Sequence, residues 1–267
     1  MNHDAFDVLI LIGRPGSGKS EIIDFLKHTR PDIRRDRYHI GELDILDDFP
    51  LLWTWFEEDH ILERRLGLPR LYTDAGGYFK YPAYWHLLLE RLSLDYQRRL
   101  RDDASYHSHA TAFIEFSRGS EHGGYHEAFP HLADEILQKA AIVYVNVSFR
   151  ESSRKNLRRF NPKRPDSILE HGLSDEKMER LYREDDWSSL APGEAGFIPV
   201  RAIHVPYAVF ENEDDVTTGK PELLAQRLAL VLANLWDLYS AHKLKEGNNP
   251  NPELTAFSAL DYEDFPD

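Results

Sequence analysis

The sequence predicts an α/β domain, a mainly parallel sheet with helices packed on both faces. Three observations carry that prediction. Apolar runs of strand length alternate with segments of helical periodicity along most of the chain. The first such pair is joined by a tight glycine-rich turn. A length of 267 residues, 42% hydrophobic and 29% charged, suits one soluble α/β domain with an inserted subdomain, or two domains, and a substantial core.

Phe6-Asp7-Val8-Leu9-Ile10-Leu11-Ile12 is aliphatic and stops at Gly13, the pattern of a buried strand. From Lys19 to Thr29 the pattern is helical, with Ile22, Ile23, Phe25 and Leu26 apolar against Glu21, Asp24 and Lys27. Between them, Gly13-Arg14-Pro15-Gly16-Ser17-Gly18-Lys19-Ser20 fills every fixed position of G-x-x-x-x-G-K-[ST]. Glycines let the backbone wrap a phosphate with its N–H groups inward, and the helix N-terminus adds the positive end of its dipole. Gly13, Pro15, Gly16, Ser17 and Gly18 therefore read as a phosphate cradle. Lys19 is expected to reach the β- and γ-phosphates, and the Ser20 hydroxyl to ligate Mg²⁺.

After a break at Pro31 comes the basic cluster Arg34, Arg35 and Arg37, then a short strand over Tyr38–Leu43, with Asp44, Asp47 and Asp48 beyond it. Pro50 opens a helix that Gly67 and Pro69 stop. Residues 71–81 are aromatic and turn-rich, a loop or small hairpin. A long helix follows over about 82–103, carrying Trp85, Leu88, Leu89, Leu92 and Tyr96 on one face. Thr111–Ser117 and Ala141–Phe149 are further strands, separated by a glycine-rich loop and a helix over Phe129–Ala140. Arg150 to Asp186 is charged and mostly helical, with Ser174 as an N-cap. Leu190–Pro199 reads as a loop, Arg201–Phe210 as a strand placed at the sheet edge by Pro206, and Leu223–Leu244 as a long amphipathic helix. The expected organisation is one domain over 1–245, with an acidic tail over 246–267.

Glu115 ends an apolar strand, so its carboxylate should emerge beside the phosphate loop. There it would hold a magnesium-bound water or take a proton from an attacking hydroxyl. The other reading is a strand-end glutamate paired with Arg118. Asp44 is a second candidate for the base or for a magnesium partner, with Asp47 and Asp48 as rivals and a solvated acidic helix start as the plain alternative. Arg150, Arg154 and Arg158 share a helix face, within a basic run that also holds Lys155, Arg159, Lys163 and Arg164. Forked arginine donors suit a transferring phosphoryl group, and a solvated helix is the alternative. His122 and His126 have the spacing of a zinc pair, but Gly123-Gly124 between them argues against a helix and a metal site. Asp74-Ala75-Gly76-Gly77 fits the short D-x-x-G pattern, with no N-K-x-D segment to read guanine.

The net charge of −14 argues against nucleic acid and anionic membranes as partners. No apolar run approaches membrane-spanning length, and Met1-Asn2-His3-Asp4 lacks the basic region of a signal peptide. Zero cysteines leave no disulfide framework, which agrees with a cytoplasmic setting.

The proline-containing loop at 13–20 resembles that of the P-loop kinases of nucleotides, nucleosides and small metabolites. The resemblance extends in layout over roughly residues 5–240. It implies a P-loop NTPase three-layer fold, with a five-stranded parallel sheet in the order 2-3-1-4-5 and a helical lid at about 150–186. Glu115-Phe116-Ser117-Arg118 is similar to the acidic-arginine motif of deoxynucleoside and thymidylate kinases, with Arg118 three residues from the acid rather than next to it. Arg150–Arg164 sits where these kinases carry a lid, which implies that Arg154, Arg158 or Arg159 closes over the phosphates. Phe210–Asp215 takes the place of their adenine-contacting loop, which puts Asn212 at the nucleotide. The acceptor region, about 44–110, offers Tyr72, Tyr78, Phe79, Tyr81 and Trp85 but matches no acceptor pattern. The expectation is an ATP- and Mg²⁺-dependent kinase acting on a small-molecule acceptor such as a nucleoside or nucleotide. The alternative is a nucleotide-hydrolysing switch or ATPase working through a protein partner.

Overall fold

The computed structural model describes residues 4–159 and 173–247. The central sheet comprises β1 (Val8–Ile12), β2 (Glu42–Asp47), β3 (Ala110–Phe116), β4 (Ala140–Asn146), β5 (Ala195–Val200) and β6 (Ile203–Glu211). The helices are α1 (Lys19–His28), α2 (Pro31–Tyr38), α3 (Asp48–Arg65), α4 (Ala83–Asp102), α5 (Tyr106–His109), α6 (Gly124–Ala128), α7 (Asp134–Leu137), α8 (Phe149–Arg159), α9 (Asp175–Tyr182), α10 (Trp187–Leu190) and α11 (Pro221–Gly247).

Strand order is β2-β3-β1-β4-β6-β5. The first five in that row are parallel, and β5 runs antiparallel to β6. The parallel part keeps the expected 2-3-1-4-5 arrangement with β6 as its fifth strand, and one added edge strand makes six. This is the three-layer α/β fold of P-loop NTPases.

The sheet buries both faces, as a parallel sheet must. Along β1 the side chains alternate between two cores. Val8, Ile10 and Ile12 join Leu89, Leu92 and Tyr96 of α4 on one side. Leu9 and Leu11 join Ile22, Ile23 and Leu26 of α1, and Leu224, Leu228, Leu232 and Leu235 of α11, on the other. No helix among the described residues is long and apolar enough to cross a membrane.

Several expected elements shift. Tyr38 ends helix α2 instead of opening a strand, and β2 begins at Glu42. Arg34 explains part of this: its guanidinium donates to the carbonyls of Gly41 and Leu26, tying the helix to the strand entry. The expected helix over Phe129–Ala140 is instead a 3₁₀ turn and the short α7. The expected Ala141–Phe149 strand ends at Asn146, and Phe149 opens α8. Leu190–Pro199, expected as a loop, begins at the last residue of α10 and contains most of β5, and β5 displaces β6 from the edge. Pro206 is tolerated inside the sheet for a reason of register. Val209 donates to Glu194 on the β5 side. Hydrogen bonds alternate along an antiparallel strand, so the Pro206 nitrogen faces β4, where pairing starts only at Tyr207.

Candidate functional site

The phosphate loop owes its shape to three glycines in the left-handed region, Gly13 at φ 148°, Gly16 at 73° and Gly18 at 115°. Each also backs onto a close neighbour. A Cβ on Gly13 would lie 2.5 Å from the Val145 carbonyl oxygen, and one on Gly18 would lie 2.6 Å from the Asn212 amide nitrogen. Ser152 Oγ donates to the Pro15 carbonyl at 2.7 Å, and Asn212 Nδ2 to the Ser17 carbonyl at 2.6 Å. The loop is therefore clamped from α8 and from the end of β6.

Asn212 is fully buried behind the loop, and its Oδ1 accepts from the Val216 N–H at 3.0 Å. It braces the cradle from behind and is not among the residues that line the cavity, whereas the sequence expectation puts it at the nucleotide. Lys19 points inward and is largely buried. Its Nζ donates to the carbonyls of Gly13 and Arg14 and to Ser117 Oγ, at 2.9–3.2 Å, and lies 4.0 Å from Glu115 Oε1. Ser20 is half-buried and lines the same cavity.

The acids gather where β2 and β3 end. Register pairs Asp47 with Glu115, so two carboxylates leave neighbouring strands side by side. Asp47 also caps α3, accepting from the Phe49 N–H at 3.0 Å. Burial, then the charges of Glu115 and Asp48, push the Asp47 pKa up to about 7, against the pull of the Phe49 N–H and Lys19. Asp48 is buried, and burial raises its pKa even though it accepts from Arg118 at 2.7 Å. Arg118 is itself 1% exposed, so this is a buried ion pair. The guanidinium also donates to the Ser117 and Trp85 carbonyls and lies 5.3 Å from the Trp85 ring. Arg118 thus pairs with Asp48, not with Glu115 as the alternative reading had it.

Asp44 is not part of this cluster. It lies inside β2, three residues short of the strand end, bonded to Arg99 and to Tyr106 Oη. The misplaced strand boundary is the reason: with β2 ending at Asp47, Asp44 sits well below the sheet edge. The rivals Asp47 and Asp48 line the cavity instead.

The basic helix divides similarly. Arg154 is exposed and bound to Glu151 and Asp215, away from the cavity. Lys155 is buried, donating to Asp215 at 2.8 Å and to Thr217 at 2.9 Å while lining the cavity beside the loop. Arg158 is exposed and also lines the cavity. The Arg159 side chain, Lys163 and Arg164 lie outside the described residues, as does the expected tail from residue 248.

The cavity itself is about 1180 Å³. One wall is a face of α3, with Phe49, Leu52, Trp53, Phe56 and Ile61. The floor is Phe79 and Trp85, with His122 stacked 4.0 Å from Trp85. Burial first, then Arg118 and His86, push the His122 pKa down to about 2, so it stays neutral. The far wall is α9, with Lys177, Arg180, Leu181 and Tyr182. Tyr78, Phe79 and Trp85 line the cavity. Tyr72 stacks on Trp55 instead, and Tyr81 is exposed. In the sequence Asp47 stands only as a rival to Asp44, and Lys155 only as one member of a run. Moving the β2 boundary to Asp47 singles out the first. Nothing local marks Lys155, Lys177 or Arg180.

No protein-family model and no curated protein matches the chain. Among solved structures it is similar to Chaetomium thermophilum Kti12 in complex with ADP-AlF3. The identity is 13%, covering 86% of this chain and 97% of that one, at a TM-score of 0.43. It is also similar to a Janibacter sugar kinase (15%, 88% and 98%, 0.38). A third is shikimate kinase from Acinetobacter baumannii in complex with shikimate (14%, 86% and 96%, 0.36).

Proposed function

We propose that the chain is an ATP- and magnesium-dependent phosphotransferase acting on the hydroxyl of a small molecule. The observation that carries this is the set Asp47, Asp48 and Glu115 gathered beside Lys19 at the inner end of a walled cavity. A simple nucleotide-binding loop has no need of paired acids opening onto an apolar chamber.

The residues fit the two groups. The positive-φ glycines free the loop N–H groups for phosphate oxygens. Ser20 and Glu115 supply hard oxygen donors, which suits a magnesium ion that takes few protein ligands and shares its shell with phosphate and water. Magnesium would neutralise charge on the β- and γ-phosphates. Lys19 leaves its carbonyl partners for the phosphate oxygens. Asp47 takes the acceptor's proton as the acceptor oxygen attacks the γ-phosphorus and the β–γ bridging oxygen departs with ADP. A base near neutrality suits that task, and the raised Asp47 pKa supports this assignment. Of Arg154, Arg158 and Arg159, Arg158 is the one described side chain that lines the cavity, and it takes the arginine role at the phosphates. One domain over 1–245 performs this, with acceptor contacts drawn from about 44–110 and closure from about 150–186, of which 160–172 lie outside the described residues.

The test is ADP release from ATP, screened against panels of alcohols, sugars and nucleosides, with Lys19→Ala as control. Acceptor-dependent release in the wild type alone is expected. Release that no acceptor stimulates, in a protein that still binds ATP, would favour a switch or ATPase.

A further inference from the structure

The walls of the cavity differ in chemistry along its length, and this bears on what the acceptor is. The lining face of α3 runs from Phe49 to Ile61, twelve residues, or about 18 Å of helix. A compact polyol would occupy only part of that length. It would also need a hydrogen-bond partner for every hydroxyl it buries. Leu52, Phe56, Ile61 and Phe79 offer none, and the polar side chains on the α3 lining are few: the Trp53 indole N–H and Glu57, which bond each other at 2.9 Å, and His60.

The charged groups fall in two places. Beside the phosphate loop Asp47, Asp48 and Glu115 gather, Asp48 paired with Arg118 and Glu115 4.0 Å from Lys19, and a neutral hydroxyl suits Asp47 as its base. The outer wall holds Lys177 and Arg180. Lys177 Nζ donates to the Gly77 carbonyl at 2.9 Å and lies 5.7 Å from the Phe56 ring. Arg180 lies 4.1 Å over the Tyr78 ring and bonds Glu121 at 2.7 Å. Phe56 is nine residues beyond Asp47, about 13 Å along the helix. Burial lowers the Lys177 pKa, a cost that a bound anion would offset.

From this juxtaposition we propose that the acceptor is an elongated alcohol: a reacting hydroxyl at the carboxylates, an apolar body along α3, and an anionic group at Lys177 and Arg180. That this ligand is an acceptor rests on the phosphotransferase reading, and binding and transfer are measured separately so that each can fail alone. Straight-chain ω-hydroxy carboxylates, from hydroxybutanoate to hydroxydodecanoate, serve as probes, with the matching α,ω-diols and glucose for comparison. Binding is read by calorimetry and transfer by ADP release. Affinity and kcat/KM should rise about fourfold for each methylene, reach an optimum where hydroxyl and carboxylate are about 13 Å apart, and then fall. Lys177→Met and Arg180→Met should each reduce the preference for hydroxy acid over diol by about tenfold, with diol binding retained as the sign of an intact fold. Binding that follows this ladder without any transfer would support the groove's ligand class and remove the phosphotransferase reading. Binding indifferent to chain length, wild-type preference for diols, or glucose as the better ligand would overturn the inference.

Discussion

The phosphate loop and the α3 wall face one cavity, but they are made in opposite ways. The loop is backbone: eight consecutive residues whose glycine φ angles and N–H directions do the work, braced by Ser152 and Asn212 from behind. The wall is side chains, brought together from α3, the 73–79 turn, α4 and α9 across more than a hundred residues. A backbone site tolerates no change of conformation, whereas a site built of side chains weakens only in proportion to the apolar surface a substitution removes. The largest effect should therefore come from Gly18→Ala. It forces a Cβ into left-handed backbone and to within 2.6 Å of Asn212 Nδ2. Nucleotide binding, followed by titration with a fluorescent ATP analogue, should be lost. Retained affinity would show that the loop can move as a unit and that the contrast is overdrawn.

Asp47→Asn probes the seam between the two regions. Asparagine keeps the cap on α3 and removes the base. Transfer should fall about 10²- to 10⁴-fold with ATP affinity little changed. A loss of affinity equal to the loss of turnover would place Asp47 on the nucleotide side instead.

The same contrast decides what was legible in the sequence. The loop could be read outright, because its chemistry demands fixed residue types at fixed spacing. The parallel layers could also be read, because β1 and β4 are unbroken apolar runs. β5 could not: Ala195–Val200 has a glycine and a proline and only two buried positions, and it is a strand because β6 offers an edge. Glu115 is legible as a strand-end acid, but the sequence points to Asp44 as its companion. The polar alternation of Glu42-Leu43-Asp44-Ile45-Leu46-Asp47 gives no internal mark of where the strand stops. Lys177 and Arg180 belong to a charged helix whose function lies in what it faces, which is a property of the fold.

Arg14 links the regions. Its guanidinium donates to the carbonyls of Val147, Tyr182 and Arg183 and lies 2.8 Å from Asp185, so the loop grips the end of α9. Arg14→Ala should raise the acceptor KM about tenfold, the worth of one charged hydrogen bond, with ATP affinity within a small factor of wild type. Equal losses for both substrates would mean that Arg14 serves the loop alone.

The smallest effect expected is on stability, and it tests why the inner end is acidic. Asp47 titrates near 7 in the folded protein against 3.8 as a free side chain. Between those values the folded chain holds a proton that the unfolded chain has released, so stability falls as pH rises from about 4 to about 7 and is level beyond. An asparagine at this position carries no such charge. Without nucleotide or magnesium, Asp47→Asn should therefore melt like the wild type near pH 4 and above it at pH 8, by about 2–4 °C for each kcal/mol of charge burial removed. Scanning calorimetry across that range reads it directly. Should the two proteins keep a constant difference at every pH, the crowding of Asp47 by Glu115 and Asp48 carries no folding cost. A gain that grows with pH and a loss of turnover in the same substitution would show stability given up for a base.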